Sequence, residues 1–224
     1  MQALIKILFI AILSFASGFS GNKEIIEGPD IHQLWLDCRL NEVVSFEVFN
    51  IAILGYRQID KIKNKNLITI IDFSKPSTEK RFFVIDLKNK QILFKCFVAH
   101  GKNSGENYAK SFSNLAQSLK SSLGFYLTAE TYSGKHGYSL RLTGLEKGIN
   151  DNARAREIVI HGADYVSQEY INKYGRLGRS WGCPALPLEI SKDIIDKISD
   201  GSCLYIYGVD NYYKEISNFI NKKQ

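Results

Sequence analysis

The residues richest in chemistry lie together at positions 178–187, GRSWGCPALP. Two nucleophile side chains stand three positions apart there, Ser180 and Cys183. Gly178, Ser180 and Gly182 fit the G-x-S-x-G spacing that lifts a serine onto a strained strand-to-helix elbow. Trp181-Gly182-Cys183-Pro184 instead offers a thiol in a turn of small residues. The serine reading makes a demand on chain order, because its acid and then its histidine must follow it. The four histidines are His32, His100, His136 and His161, so none follows Ser180. The stretch leading in, residues 173–179, is polar rather than strand-like, and Pro184 comes almost at once. The elbow match is a coincidence of composition, and Cys183 is the candidate nucleophile.

A thiolate needs a base close by and donors for the oxyanion that forms when it attacks a carbonyl. Gly182 lets the backbone approach a substrate closely, and a helix starting a few residues after Cys183 would lower the thiol pKa. All four histidines precede Cys183, which excludes the chain order in which the base follows the cysteine. Three of them form His-Gly pairs: His100-Gly101, His136-Gly137 and His161-Gly162. His161 closes the clearest strand, Ile158-Val159-Ile160, and is nearest to Cys183 in sequence. Of the three it is the best placed to serve as a base, and a hydrogen-bonded turn histidine remains the plain reading of each.

His161-Gly162, a polar loop and then Ser180-Trp181-Gly182-Cys183 resemble the catalytic domain of the YkuD-type L,D-transpeptidases, whose pattern runs His-x, a loop, then [S/T]-H-G-C. The phrases FSNLAQSLKSSLGFY, ETYSGKHGYSLRLTGLEKGIND, EIVIHGADYV and GRSWGCPALP resemble the murein L,D-transpeptidase branch, over about residues 65–208. Two departures stand out. Trp181 occupies the place of a histidine, and the loop from His161 to Cys183 is longer than usual.

The resemblance implies an exported enzyme acting on peptidoglycan stem peptides. Cys183 would form a thioester by attacking the amide between an L-centre and the terminal D-amino acid, with His161 as base and later acid. The carbonyl of Gly162 would orient His161, and the N–H groups of Gly182 and Cys183 would form the oxyanion hole. Ser180, Trp181, Arg179, His100 and His136 would line the substrate, with His100 or His136 standing in for the missing histidine. Arg154, Arg156 and Arg176 also gather near the motif and could bind stem carboxylates. No metal or nucleotide cofactor is implied. An L,D-carboxypeptidase would use the same acyl-enzyme with water as acceptor. A chymotrypsin-like cysteine protease would need an acid between His161 and Cys183 that nothing marks, and an inactive wall-binding module would keep the groove without the chemistry.

These residues need a scaffold, and the patterning supplies strands for most of it. Residues 67–73, 81–87 and 92–101 read as three consecutive antiparallel strands with polar turns between them. Further short strands follow at 124–131, 138–142, 157–162 and 203–208, and residues 188–199 read as a helix. Asn41 can cap a helix over residues 43–56, although β-branching there also suits a strand. The expectation is a mainly β, α+β domain with a few helices, built as an antiparallel sandwich or barrel-like sheet behind a short helical N-terminal extension. The divisions expected are a signal peptide at 1–20, the helical extension at 21–64, the catalytic domain at 65–210 and a tail at 211–224.

The leader reading rests on Lys6, an apolar run from Ile7 to Ala16 and small residues after it, a run too short to span a membrane. An uncleaved anchor is the alternative. The mature chain would then carry no membrane span and would act in the periplasm or cell envelope. Its length of 224 residues suits one domain, and its 45% hydrophobic content a globular one. Losing Lys6 and no acid lowers the net charge from +6 to +5, mild enough for a solvated surface and suited to an anionic wall polymer. No basic run with interleaved aromatics points to nucleic acid. Cys38, Cys96, Cys183 and Cys203 form no C-x-x-C pair and no zinc spacing. With Cys183 reactive, at most one disulfide could form among the other three.

Overall fold

The computed structural model describes residues 30–221, so the leader expected at 1–20 lies outside the described residues. Eight strands make one mixed sheet: β1 (Leu67–Asp72), β2 (Phe82–Asp86), β3 (Gln91–Cys96), β4 (Gly124–Gly134), β5 (Gly137–Gly144), β6 (Val159–Ala163), β7 (Ala185–Pro187) and β8 (Cys203–Tyr207). Their spatial order is β3-β2-β1-β8-β4-β5-β6-β7. The β1–β2–β3 meander and the β4–β5 hairpin are antiparallel.

Two pairs correct the antiparallel, sandwich-like expectation. β8 runs parallel to β1, and β7 runs parallel to β6. Parallel partners need long crossovers, and this chain has them. Residues 164–184 carry β6 to β7, and helix α4 (Leu188–Ile198) carries the chain onward to β8. Isolated bridges tie Ala99 to Ala185 and Gly101 to Ser180. They do not extend into a ladder, so the sheet stays open.

Helix α2 (Phe46–Tyr56) begins later than expected because Ser45, not Asn41, caps it by accepting from the Val48 amide. Together with α1 (Ile31–Asp37), it contributes Leu34, Val48, Phe49, Ala52 and Ile53 to the core that also holds β1, β4 and β8. Gly55 permits that seating, since a Cβ there would fall 2.0 Å from Phe125 Cζ. Central strand β1 is buried at every position, so its sequence is a continuous apolar run rather than an alternation. A short helix, α3 (Gln168–Tyr174), lies inside the polar stretch between β6 and β7, capped by Ser167 and ended by the left-handed Gly175. Glu146 is buried and accepts hydrogen bonds from Tyr213 and Ser217 and from the Phe125 amide of β4, tying helix α5 (Asn211–Ile216) to the sheet.

Candidate active site

Three pieces of chain meet at a pocket of about 270 Å³, lined by Lys135, His136, His161, Tyr165, Arg179, Ser180, Trp181 and Cys183. Strand β6 supplies His161. The turn before β7 supplies Ser180 through Cys183, and β7 is aligned so that Ala185 pairs with His161. The tip of the β4–β5 hairpin supplies Lys135 and His136. That tip is a two-residue turn between the paired Gly134 and Gly137, and the positive φ of Gly137 (+73°) suits a tight hairpin.

His161 is almost fully buried, and its Nδ1 lies 2.9 Å from the carbonyl oxygen of Gly162. A carbonyl only accepts, so Nδ1 carries the proton and Nε2 keeps its lone pair. Burial pulls the pKa of His161 below the usual histidine range, His136 lowers it further, and the Gly162 carbonyl partly offsets both. The ring is neutral at pH 7. His136 stacks on it with centroids 4.6 Å apart and planes 24° from parallel. Gly162 has no room for a side chain, because a Cβ would meet Ser191 Oγ of α4 at 2.4 Å.

Cys183 is half-buried. Its Sγ accepts from the Val159 amide at 3.5 Å and faces the Glu157 carbonyl at 3.6 Å. Burial pushes the thiol upward more than the Val159 amide and the Arg156 guanidinium pull it down. This corrects the expectation of a thiol activated by a following helix. Helix α4 starts five residues later, beyond the reach of a helix terminus. The resting pair is a thiol and a neutral imidazole.

Ser180 is a turn residue in this geometry. Its hydroxyl donates to the Cys183 carbonyl at 2.6 Å and accepts from the Gly182 amide at 3.1 Å. The Gly182 N–H is thereby engaged, which leaves the Cys183 N–H as the candidate oxyanion donor. Gly182 sits at φ +129°, and a Cβ on it would meet the Lys120 carbonyl at 2.8 Å. That close approach requires glycine.

The expected substrate-lining residues divide. Trp181 is 72% exposed, so it is not core packing, and Lys135 Nζ lies 5.7 Å above its ring. Arg179 lines the pocket but pairs with Glu106 at 2.7 Å, and Arg176 shares that carboxylate. His136 is at the pocket. His100 is not: it is 1% exposed, with Nδ1 2.8 Å from Arg81 Nη2 and Nε2 3.2 Å from the Gly105 carbonyl. Arg154 pairs with Glu130, whereas Arg156 lies near Cys183 and donates to the Ser113 and Lys120 carbonyls. Lys135 and Tyr165 escaped the sequence reading. The run Gly-Lys-His-Gly is a hairpin-turn signature and could have marked Lys135. Cys38, Cys96 and Cys203 are buried, and all four cysteines are free thiols. Among the described residues no cluster could hold a metal, and no helix is long and apolar enough to cross a membrane.

A family model for the L,D-transpeptidase catalytic domain matches residues 40–207. None of the curated proteins matches the chain. Solved structures similar to it include an L,D-transpeptidase from Mycobacterium smegmatis, 14% identical, with a TM-score of 0.39 over 64% of this chain and 59% of that one. L,D-transpeptidase 1 of Mycobacterium tuberculosis is 15% identical, with a TM-score of 0.37 over 64% and 62%. The helical cell shape determining protein Pgp2 of Campylobacter jejuni is 16% identical, with a TM-score of 0.44 over 70% and 54%. The chain thus spans between half and two thirds of these proteins.

Proposed function

The chain belongs to the L,D-transpeptidase catalytic domain family, and on that premise we propose that it is an exported cysteine acyltransferase acting on peptidoglycan stem peptides. The observation that carries this reading is the His161–Gly162 hydrogen bond. It fixes the tautomer whose free Nε2 can take a proton, in a pocket shared with the one half-buried thiol.

In the first half-reaction Cys183 Sγ attacks the carbonyl carbon on the L-side of the bond to the terminal D-amino acid, and His161 Nε2 removes the thiol proton. The Cys183 N–H stabilises the oxyanion. As the intermediate collapses the C–N bond breaks, and the imidazolium gives its proton to the departing amine. A thioester and a free D-amino acid result. In the second half-reaction His161 takes a proton from an amine of another stem peptide as that amine attacks the thioester. The proton returns to Cys183 as the C–S bond breaks. Because thiol and imidazole rest neutral, charge appears only along the reaction path, where the buried His161 and the Cys183 amide must stabilise it. Trp181, with Lys135 above it, forms the outer wall. The leader read in the sequence at 1–20 and a wall substrate together support the periplasm or cell envelope as the site of action.

The test is incubation with muropeptides bearing tetrapeptide stems, read by mass spectrometry. Cross-linked dimers with release of the D-amino acid are expected, and Cys183→Ala should make none. Tripeptide products alone would make water the acceptor. No product from the wild type would refute the reading.

A further inference from the structure

Outside the pocket lining lies the largest fully buried side chain of the described residues, Arg81. Among the described residues its guanidinium forms no salt bridge. It donates instead to the Lys75 carbonyl (2.7 Å), to the Val98 carbonyl through Nε and Nη2 (3.1 and 2.9 Å), and to His100 Nδ1 (2.8 Å). The guanidinium cannot accept, so His100 accepts at Nδ1, carries its proton on Nε2 and donates that to the Gly105 carbonyl at 3.2 Å. Arg81 and His100 thus hold the chain from Val98 to Gly105 at two carbonyls, Val98 and Gly105, and anchor it to a third at Lys75.

That segment grips the nucleophile turn on both sides of Cys183. The His100 carbonyl accepts from the Ser180 amide at 3.0 Å, and the Lys102 amide donates to the Ser180 carbonyl at 2.7 Å. Ala99 exchanges both backbone hydrogen bonds with Ala185, at 2.9 and 3.4 Å. Gly101 N–H donates to Ser121 Oγ, which donates in turn to the Gly182 carbonyl (3.0 and 3.1 Å). Ser180, Gly182 and Ala185 are therefore all referenced to residues 99–102.

We propose that His100, held by Arg81, is a positioning residue that sets the Ser180–Ala185 turn and hence the aim of Cys183 at its substrate. This rests on the reading of Cys183 as nucleophile. A buried guanidinium held by neutral acceptors is a costly way to fix a loop. What it adds is direction, because an arginine fork and an imidazole fix several carbonyls at once. A misplacement of about 1 Å at a nucleophile can cost on the order of 10²-fold in rate.

His100→Gln and His100→Asn test this in the full chain. Glutamine can reach both Arg81 and the Gly105 carbonyl, whereas asparagine is too short to bridge them. With muropeptide substrate, His100→Asn should lower kcat at least tenfold with KM within threefold of wild type, and His100→Gln should recover most of the loss. A rise in KM alone would make His100 a substrate contact, and unchanged kcat would make the pair purely structural. Either result overturns the proposal. Amide hydrogen exchange needs no activity, so it separates this claim from the assignment of Cys183. Exchange at Ser180 and Lys102 should accelerate in His100→Asn and stay near wild type in His100→Gln. Equal protection in all three proteins would overturn the proposal even if the chain acted on no muropeptide.

Discussion

The exposure of the four thiols separates Cys183 from the rest at the scale of single residues. Cys38, Cys96 and Cys203 are 1%, 3% and 0% exposed, and burial pushes Cys38 up to about 11 and Cys96 up to about 12. Limited iodoacetamide treatment followed by peptide mapping should label Cys183 first. Its rate should climb with pH above neutrality, because burial raises this thiol too. A rate independent of pH between 6 and 8 would mean a resting thiolate and contradict the neutral pair. His161→Gln should slow acylation at least ~10²-fold, measured by intact mass with a carbapenem as the acylating probe. Trp181→Ala should change stability by no more than about 0.5 kcal/mol, since the indole is exposed. It should raise KM if the ring is a substrate wall, and an unchanged KM would remove that role.

Helix α2 shows how the element scale resists sequence reading. Its seat on the sheet depends on Gly55 against the Phe125 ring. Alanine there should gain up to about 1 kcal/mol of helix propensity yet meet ring atoms 2.0–2.6 Å away. Overpacking of that kind costs about 1–3 kcal/mol. Gly55→Ala should therefore be net destabilising in urea unfolding, and a stabilised variant would show that α2 shifts freely. The strands of the meander and the hairpin were legible because their partners are sequence neighbours, with turns and apolar runs marking each edge. The insertion of β8 between β1 and β4 was not, since no local pattern records which distant strand pairs with which. Strand β7 was missed for a different reason: at three residues, Ala185–Pro187, it has no period to detect. The site shows the same division. Residue type and order singled out Cys183 and the His-Gly pairs, while the roles of His161 and Gly162 came from the family resemblance; the structure brings the three together. His100 looked like its two His-Gly counterparts, and only the buried partner Arg81, nineteen positions earlier, separates them.

At the scale of the whole molecule, two histidines are held neutral inside the fold. Burial and then Arg81 bring His100 down to about 3, and burial lowers His161. A histidine depressed in the native state binds its proton more readily when unfolded. Stability is therefore full above about pH 6.5, the unfolded value, and falls as pH drops toward the folded value. For His100 the window runs from about 6.5 down to about 3, with a loss on the order of 4–5 kcal/mol at its foot. His100→Gln should flatten the decline of melting temperature with acid over that window, and an unaltered slope would place the sensitivity elsewhere. The buried guanidinium of Arg81 is lowered to about 9 by burial and stays charged throughout.

In the proposed mechanism Cys183 carries the acyl group. The most direct measurement is intact mass after rapid acid quench of the protein with a tetrapeptide muropeptide, followed by peptide mapping. The expected adduct equals the stem minus its terminal D-amino acid, is joined to Cys183 by an alkali-labile thioester and is absent from Cys183→Ala. An adduct on Ser180, or turnover with Cys183→Ala, would contradict it.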